Sequence, residues 1–561
     1  MMGGSFRKLT CVYLSGVTVV LLAVLARYAT ALATSRPVSI IAPTNGVTVA
    51  GSTTITTVIG QGVSWTDLYI DGNYLTSGPP YITTWNSTTA SNGGHTISVS
   101  AFATDGSVVG SDSVNVAVNN AGPTPGPTPS PGSTPAVTGT AYYVDSVAGN
   151  DSNAGTSPSA AWQTIGKVVN ELSNLGPGDG VLFKGGEVWT EQFDINGAAG
   201  TASKPIVFGS YGNGQPVLDE QGQHPYCIDA IGTNAKYLTL YNFECRHATQ
   251  QGVTFQTSGG SMPDITVQNF YIHNSGPGCS ISNTACVGYD PGGYYNQLDF
   301  EDFSQGADGV HFVNNVVKWT GGHNCLEVHH DTGSVLVKGN TVGPGCVHGV
   351  VDVKGIGSPS TPALVTQNAA TCGYSLGLCG CLTSVCNGVP AFYTENVYSP
   401  HEMVTYSFNE AYDSGVGFQD CPGGCANGSG CAMSVNYYNN TSYIQSGVPN
   451  SFAVYANGGC NGAPVGSSTI DLRNNIFDGS IVSVNGMTSA TEDYNDVGGA
   501  QGNAGFLVNG STTEGPNDKI NVNPMYVDAA AAPPNLQLRS GSPCINAGQS
   551  GLTSSNDMGA Y

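Results

Sequence analysis

Positive charge is what this sequence has least of. Its 561 residues hold 15 Lys and Arg against 38 Asp and Glu, a formal net charge of −23. A chain without a basic footprint is not a nucleic-acid binder. A polyanionic partner is disfavoured too, unless a cation bridges the charges. Arg is sparser still: only Arg246, Arg473 and Arg539 lie beyond residue 140. Paired C-x-x-C spacings are missing, so the cysteines do not read as a zinc module. The N-terminal apolar run, Val17 to Leu25, is short for a membrane span. Arg7 and Lys8 precede it, and Ala31-Leu32-Ala33 follows as an A-x-A site. That pattern predicts a secretory signal over residues 1–33, cleaved after Ala33. The mature chain is expected to be extracellular, free of the membrane, and a monomer.

Glycine is abundant, at 78 residues, with much Thr, Asn and Ser. Low charge with this composition suits an extracellular all-β protein. Of 16 cysteines, Cys11 falls in the signal, which leaves an odd number after cleavage. In an exported protein they read as disulfides, with one thiol left over or one intermolecular bond. Cys372, Cys379, Cys381 and Cys386 crowd one insertion, and Cys421, Cys425 and Cys431 another. Stapled loops are the expectation.

Residues 37–119 carry alternating strands at sandwich spacing: VSIIAPTNGVTVAG, TDLYIDGNYL, YITTWNSTTASNGGHTISVSAFATDG and DSVNVAVNN. The run YIDG, TTWN, NGGHTISVSAFATDG resembles the bacterial Ig-like modules of secreted enzymes. Such a module is a spacer or a carbohydrate attachment device, and Trp65 and Trp85 read as core or edge residues. Residues 120–140 are a Pro/Thr/Ser linker, which cannot bury a core.

The stretch from Gly309 to Gly355 repeats itself. Asn315 recurs as Asn340, Glu327 as Asp352 and His329 as Lys354, each 25 residues on. A unit of this period, made of strands and Gly/Asn turns alone, is one rung of a parallel β-helix. Alternation turns Leu326, Val328, Val351 and Val353 inward. Glu327, His329, Asp352 and Lys354 face outward, with Glu327 beside Asp352 and His329 beside Lys354. One Asn per coil continues the pattern: Asn242, Asn269, Asn315, Asn340, Asn409, Asn440 and Asn475. The gaps of 46 and 69 residues on either side of the central stretch mark insertions, which collect on the working face of a solenoid.

Trp162, Ile165, Val169 and Leu172 are spaced for one face of a helix that would cap the solenoid. YYVDSVAGNDSNAGTSPSAAWQTIGKVVNEL, GTASKPIVFGSYGNGQPVLD and the C-terminal LQLRSGSPCINAGQ to NDMGAY resemble the secreted right-handed parallel β-helix proteins of the pectate-lyase-like superfamily. The expected fold is thus all-β: a small Ig-like sandwich, then a right-handed parallel β-helix over 141–561.

Two outward carboxylates one rung apart repel unless a cation or proton lies between them. Calcium takes carboxylate oxygens, so Glu327 and Asp352 are candidate ligands, with Asp331 or Asn324 completing the shell. Lys354, two residues from Asp352 on the same face, is the candidate base if a cation or burial lowers its pKa. His329, its register neighbour, is the second candidate catalytic residue. This set suits proton abstraction beside a uronate carboxylate, followed by β-elimination. It resembles the polysaccharide lyases of the superfamily, where DVKG matches their acid-x-Lys step. The resemblance implies an acidic polysaccharide substrate such as pectate or alginate. The Arg partner and the several-Asp calcium run of such enzymes are not found.

The alternatives are a glycoside hydrolase on the same fold and a non-catalytic surface or adhesin protein. The hydrolase would draw on Asp308, Glu327, Asp352, Glu402, Glu410, Asp413 or Asp420. An epimerase is a minor variant hinted at by Tyr289-Asp290-Pro291. His323, His329, His330 and His348 form an alternative set for a transition metal, and Lys354 with Glu327 or Asp352 also reads as a solvated ion pair.

Overall fold

The computed structural model describes residues 37–118 and 135–560, apart from single-residue and short gaps and the segments 280–292, 303–308, 374–388, 396–401, 422–431, 445–450, 458–467 and 499–505. The expected signal, most of the expected linker, Asp308 and the Tyr289-Asp290-Pro291 triplet therefore lie outside the described residues. The chain divides into two compact units, Met1–Pro127 and Thr128–Tyr561. Among the described residues no helix is long and apolar enough to cross a membrane.

The first unit is a β-sandwich. One sheet holds Val38–Ala42, Ser52–Ile59 and Ile82–Asn86, paired antiparallel. The other is built on the antiparallel strands Trp65–Ile70, Gly93–Phe102 and Val108–Val118. Alternation sends Ile97, Val99, Ala101, Val114 and Val116 into the core with Ile55 and Trp85. Trp65 stacks on Phe102 at 5.1 Å instead.

The second unit is a right-handed parallel β-helix. Three sheets of twelve strands run side by side along the chain. Each strand pairs in parallel with its counterpart one coil later, until the antiparallel pair Phe506–Val508 with Ser511–Thr512 closes one sheet. Parallel crossovers take the right-handed sense. The alternation expected in the central repeat holds: Leu326, Val328, Val351 and Val353 are fully buried in the core.

The cap helix is shorter than the spacing predicts. It spans Ile165–Glu171, and the Thr164 side chain accepts from the Lys167 backbone N–H at its start. Trp162 and Leu172 are buried but lie outside the helix, Leu172 in the 3-10 turn that follows. Val168 is the buried residue on the inner face, and Val169 only packs against the core edge.

The asparagines resolve into two adjacent columns. Asn242, Asn269, Asn314, Asn439 and Asn474 hold left-handed turns, with φ between 55° and 65°, and Gly339 takes the same place at φ 68°. The next residue in each later coil forms a buried amide ladder: Asn315, Asn340, Asn368, Asn409, Asn440, Asn475 and Asn495. In each step the backbone N–H and Nδ2 of one Asn donate to Oδ1 of the next. Asn315 donates to Asn340 at 2.9 and 3.0 Å, and Asn340 to Asn368 at 2.9 and 2.9 Å. Nδ2 of Asn340 also donates back to the Phe312 carbonyl at 2.9 Å. The expected single Asn per coil is corrected, since turn and ladder fall on adjacent positions. Asn242 and Asn269 belong to the turn column, and Asn368 splits the 69-residue gap.

Cys227–Cys245 and Cys325–Cys346 are disulfides, and Cys279, Cys372 and Cys421 are also bonded. Closing loops of 18 and 21 residues stabilises the fold by about 3 kcal/mol each. Cys544 is the free cysteine among the described residues, and it is buried. Cys379, Cys381, Cys386, Cys425 and Cys431 of the crowded insertions lie outside the described residues.

Asn340→Ala removes the acceptor of Asn315 and the donor of Phe312 without giving water access. It should lower stability by about 3 kcal/mol, read as a shift of the urea midpoint at unchanged far-ultraviolet dichroism. A surface Asn such as Asn213 changed to Ala is the control. An equal shift in both variants would show the ladder to be dispensable.

Candidate functional site

The third sheet turns two columns outward. In the first, Asp299, Glu327, Asp352 and Tyr393 stand in register on successive coils. In the second, Glu301, His329, Lys354 and Glu395 do the same. Sequence reasoning placed the middle pairs in register. It missed Asp299 and Glu301 before them and Tyr393 and Glu395 after them. The signal was present: QLDFED and AFYTE alternate as the central strands do, with Leu298, Phe300 and Phe392 inward. The insertions hid the spacing.

The expected open outer face is corrected. Glu327 and Lys354 are almost fully buried and Asp352 is wholly so. Side-chain exposure is 0% at Asp352, 13% at Glu395 and 28% at His348, so this face opens at Glu395 and His348.

Lys354 holds the cluster together. Its Nζ lies 3.3 Å from Glu327 Oε1, 3.2 Å from Asp352 Oδ2 and 3.4 Å from Glu395 Oε2. Burial works against its charge, but Asp352, Glu327 and Glu395 outweigh it and raise the ammonium pKa above the usual lysine value. A base needs the opposite shift, so this surrounding favours a fixed cation at Lys354 over the expected proton acceptor.

Asp352 answers in kind. Burial raises its pKa, and Lys354 and His348 more than reverse that, so it stays ionised below the ordinary Asp value. Neither oxygen has a well-shaped hydrogen bond, and its partners are the ion contacts from Lys354 and from His348 Nδ1 at 3.7 Å. Glu395 moves the other way: burial first, then the Asp352 charge, raise its pKa. Glu301 is raised to about 8 by burial and by Glu327.

His329 sits between Glu301 and Glu327, at 3.9 and 3.3 Å. Burial lowers its pKa, so the ring is neutral near pH 7. His330 is pushed down to about 3 by burial, with His329 and Lys354 beside it also disfavouring its charged form. The four histidines do not converge. His323 stacks on His348 at 4.1 Å, and the tilted rings of His329 and His330 lie 3.7 Å apart, as separate pairs.

The expected calcium shell is not assembled. Asp331 turns away: its Oδ2 accepts from Gly309 N at 2.8 Å and its Oδ1 from Gly333 N at 2.7 Å. Asn324 accepts from Gly349 N at Oδ1 and donates from Nδ2 to Glu327. Between Glu327 and Asp352 stands the Lys354 ammonium, which a metal would have to displace. Two other groups bring ligand atoms within 4.8 Å of one another: Glu301, Glu327 and His329, and His348, Asp352 and Glu395. A mixed imidazole and carboxylate set is not the all-oxygen shell that calcium takes.

The remaining carboxylates stand apart. Glu402 and Glu410 lie on the other two sheets, and Asp413 is in a left-handed turn. Asp420 faces the interior, where it accepts from Tyr437 Oη at 2.7 Å.

Comparison with known proteins places the N-terminal part firmly. Residues 37–99 match the bacterial Ig domain family. A lacto-N-biosidase of Bifidobacterium longum subsp. longum is 44% identical over 89 residues, 15% of this chain and 6% of that protein. The chain thus spans a small fraction of the curated relative it matches. Among solved structures, the GH136 lacto-N-biosidase from Eubacterium ramulus is 15% identical over 68% of each chain, with TM-score 0.41. An alginate lyase from Paenibacillus sp. is 14% identical over 52% of this chain and 96% of that one, with TM-score 0.30. At these values the matches assign no activity, and the β-helix rests on the strand register above.

Lys354→Met leaves Glu327, Asp352 and Glu395 without their shared cation. The carboxyl pKa values then rise, so the variant binds more protons folded than unfolded, and its stability falls as pH rises. We expect a loss of about 3–5 kcal/mol at pH 8 that shrinks toward pH 5, followed by thermal melts across that range. A loss independent of pH would show that the lysine acts by packing alone.

Proposed function

We propose that this protein is an extracellular carbohydrate-active enzyme, and that it is a glycoside hydrolase working through Glu395 and Asp352. One observation carries the reading: oxygens of these two carboxyl groups lie within 4.8 Å of each other, on adjacent coils, at the opening of the face. Glycoside hydrolysis needs one carboxylic acid that keeps its proton and one carboxylate that does not. Paired groups pushed in opposite directions are how such roles are divided. Glu395 is the acid, and it protonates the leaving glycosidic oxygen. Asp352 bonds to the anomeric carbon as that oxygen departs. Water then attacks the same carbon, losing its proton to Glu395 and releasing Asp352. The close spacing is that of retaining enzymes, about 5 Å, so the product should keep its anomeric configuration. Lys354 and His348 hold Asp352 charged until the oxocarbenium-like state forms. The stretch shared with a protein named lacto-N-biosidase is in keeping with action on sugars.

Calcium-assisted elimination on an acidic polysaccharide is the second reading. Its support is the Glu301, Glu327 and His329 group, which offers a cation three ligand atoms. Against it stand the raised Lys354 pKa and the lack of a nearby Arg.

A screen of neutral and uronic polymers, with and without calcium, separates the readings. New reducing ends without unsaturation support hydrolysis; calcium-dependent unsaturated uronate supports elimination; neither product supports a non-catalytic surface protein. In the first case Asp352→Asn and Glu395→Gln should each lower kcat by about a thousandfold. The wild-type rate should fall at high pH as Glu395 loses its proton, above the ordinary Glu range, and persist well into acid because Asp352 resists protonation. Loss of the alkaline limb in Glu395→Gln identifies the acid. An unchanged profile would remove Glu395 from the mechanism.

A further inference from the structure

The outward columns continue past Glu395 and change character. In the first column Tyr393 is followed in register by Gln419, Tyr455 and Ser483. In the second, Asn457 and Asn485 are register neighbours. These positions carry no formal charge. Tyr455 is half-buried and its ring lies 5.0 Å from that of Phe452. An irregularity in the pairing between Phe452 and Val454 accompanies this contact. Bulges of this sort re-aim side chains beside functional sites.

The other side of the centre is closed. Gln251, Thr254 and Gln256 all donate to Asp299 Oδ2, at 3.0, 2.9 and 3.1 Å, and Asn296 donates to Oδ1 at 3.2 Å. Gln251, Thr254, Asn296 and Asp299 are buried. These donors bond within the protein; the exposed ring on this side, Tyr294, lies edge-on over His323 at 5.0 Å and outside the two columns.

We propose that Tyr455, in contact with Phe452 and flanked in register by Gln419 and Ser483, is a sugar-stacking subsite that binds a remote, uncharged pyranose of the substrate. The proposal rests on the reading of Asp352 and Glu395 as the reaction centre. Tyr455 lies three coils from Asp352, about 14 Å along the axis, the reach of a short oligosaccharide. A pyranose face stacks on an aromatic ring, and the Gln419 amide and Ser483 hydroxyl on the adjacent coils suit sugar hydroxyl groups. A uronate would find no cation there and would pass the Glu395 carboxyl. The substrate is thus a neutral oligosaccharide or polysaccharide that leaves the centre toward the C-terminal coils.

The test separates binding from chemistry. The intact protein is run through native gels containing neutral polymers (galactan, xyloglucan, galactomannan) or polygalacturonate. The wild type should be retarded by a neutral polymer and Tyr455→Ala should not, while Tyr455→Phe, which keeps the ring, stays retarded. Equal retardation of wild type and Tyr455→Ala, retardation by polygalacturonate only, or none at all would overturn the subsite. Turnover adds a second readout. On a series of oligosaccharides, Tyr455→Ala should lower kcat/KM about tenfold for the long members and leave the short ones unchanged. A loss uniform over length would mean that Tyr455 supports the fold. Failure of hydrolysis on every substrate with normal gel retardation would count against the reaction centre and leave Tyr455 as a binding residue.

Discussion

Every part of the second unit depends on one constraint: strands of successive coils pair in parallel and in register. A side chain therefore has the same position above and below it, about 4.8 Å away. Apolar residues profit from this arrangement, and the core is a stack of Val, Ile, Leu and Phe. Polar residues do not profit by default, since like atoms face like atoms. The amide solves the problem inside the coil because it carries both a donor and an acceptor. Asn315, Asn340 and Asn368 each present Oδ1 to one neighbour and Nδ2 to the next. A carboxylate, which accepts but cannot donate, appears only at the end of the column, where Asp518 Oδ1 accepts from the Asn495 N–H at 2.8 Å.

On the outward face the same constraint brings acids together. Asp299, Glu327 and Asp352 form a column of three carboxyl groups, and Glu301 and Glu395 stand beside them. Burial makes their repulsion strong, because the effective dielectric is low. Lys354 is placed where the repulsion is greatest, touching Glu327, Asp352 and Glu395 at once. A single ammonium cannot neutralise three anions. Protons must supply the rest, so some groups stay ionised while others keep a proton. The division between Asp352 and Glu395 thus comes from burial of both together with crowding around one shared cation.

The fold was legible in the sequence because its signals are short-range. Period two along a strand and the 25-residue offset fixed the register of Glu327 with Asp352 and of His329 with Lys354. What stayed hidden had two physical causes. Insertions of unequal length broke the offset, so Asp299, Glu301, Tyr393 and Glu395 did not line up by counting. The two asparagine columns differ by one residue, and only backbone φ tells Asn314 from Asn315. Protonation was the other blind spot. Whether Lys354 is a base or a clamp depends on the carboxylates around it in space, and Glu395, which helps to decide it, is 41 residues further on.

Burial of Asp352 has to be reconciled with reaction at its carboxylate. Lys354 and the neighbouring carboxyl groups hold it on the inner side, and toward the opening lie His348, through Nδ1, and Tyr393 on the next coil. Their rings are 5.2 Å apart, and His348 also stacks on His323. Backbone in a parallel sheet is held by hydrogen bonds on both sides and cannot yield locally. A ring held by stacking and one long ion contact can turn about its own χ angles, which takes far less reorganisation. His348 is also the most exposed member of the group, so solvent and a sugar hydroxyl reach it first. Its pKa is lowered by burial and raised further by its bond to Asp352 and by the Asp352 charge, for a net increase. In the proposed reaction, a turn of His348 would open a path to Asp352 and leave Lys354 in place beside it. Rigid coils fix the positions of the charges, and His348 is the side chain that stands between the opening and the buried Asp352.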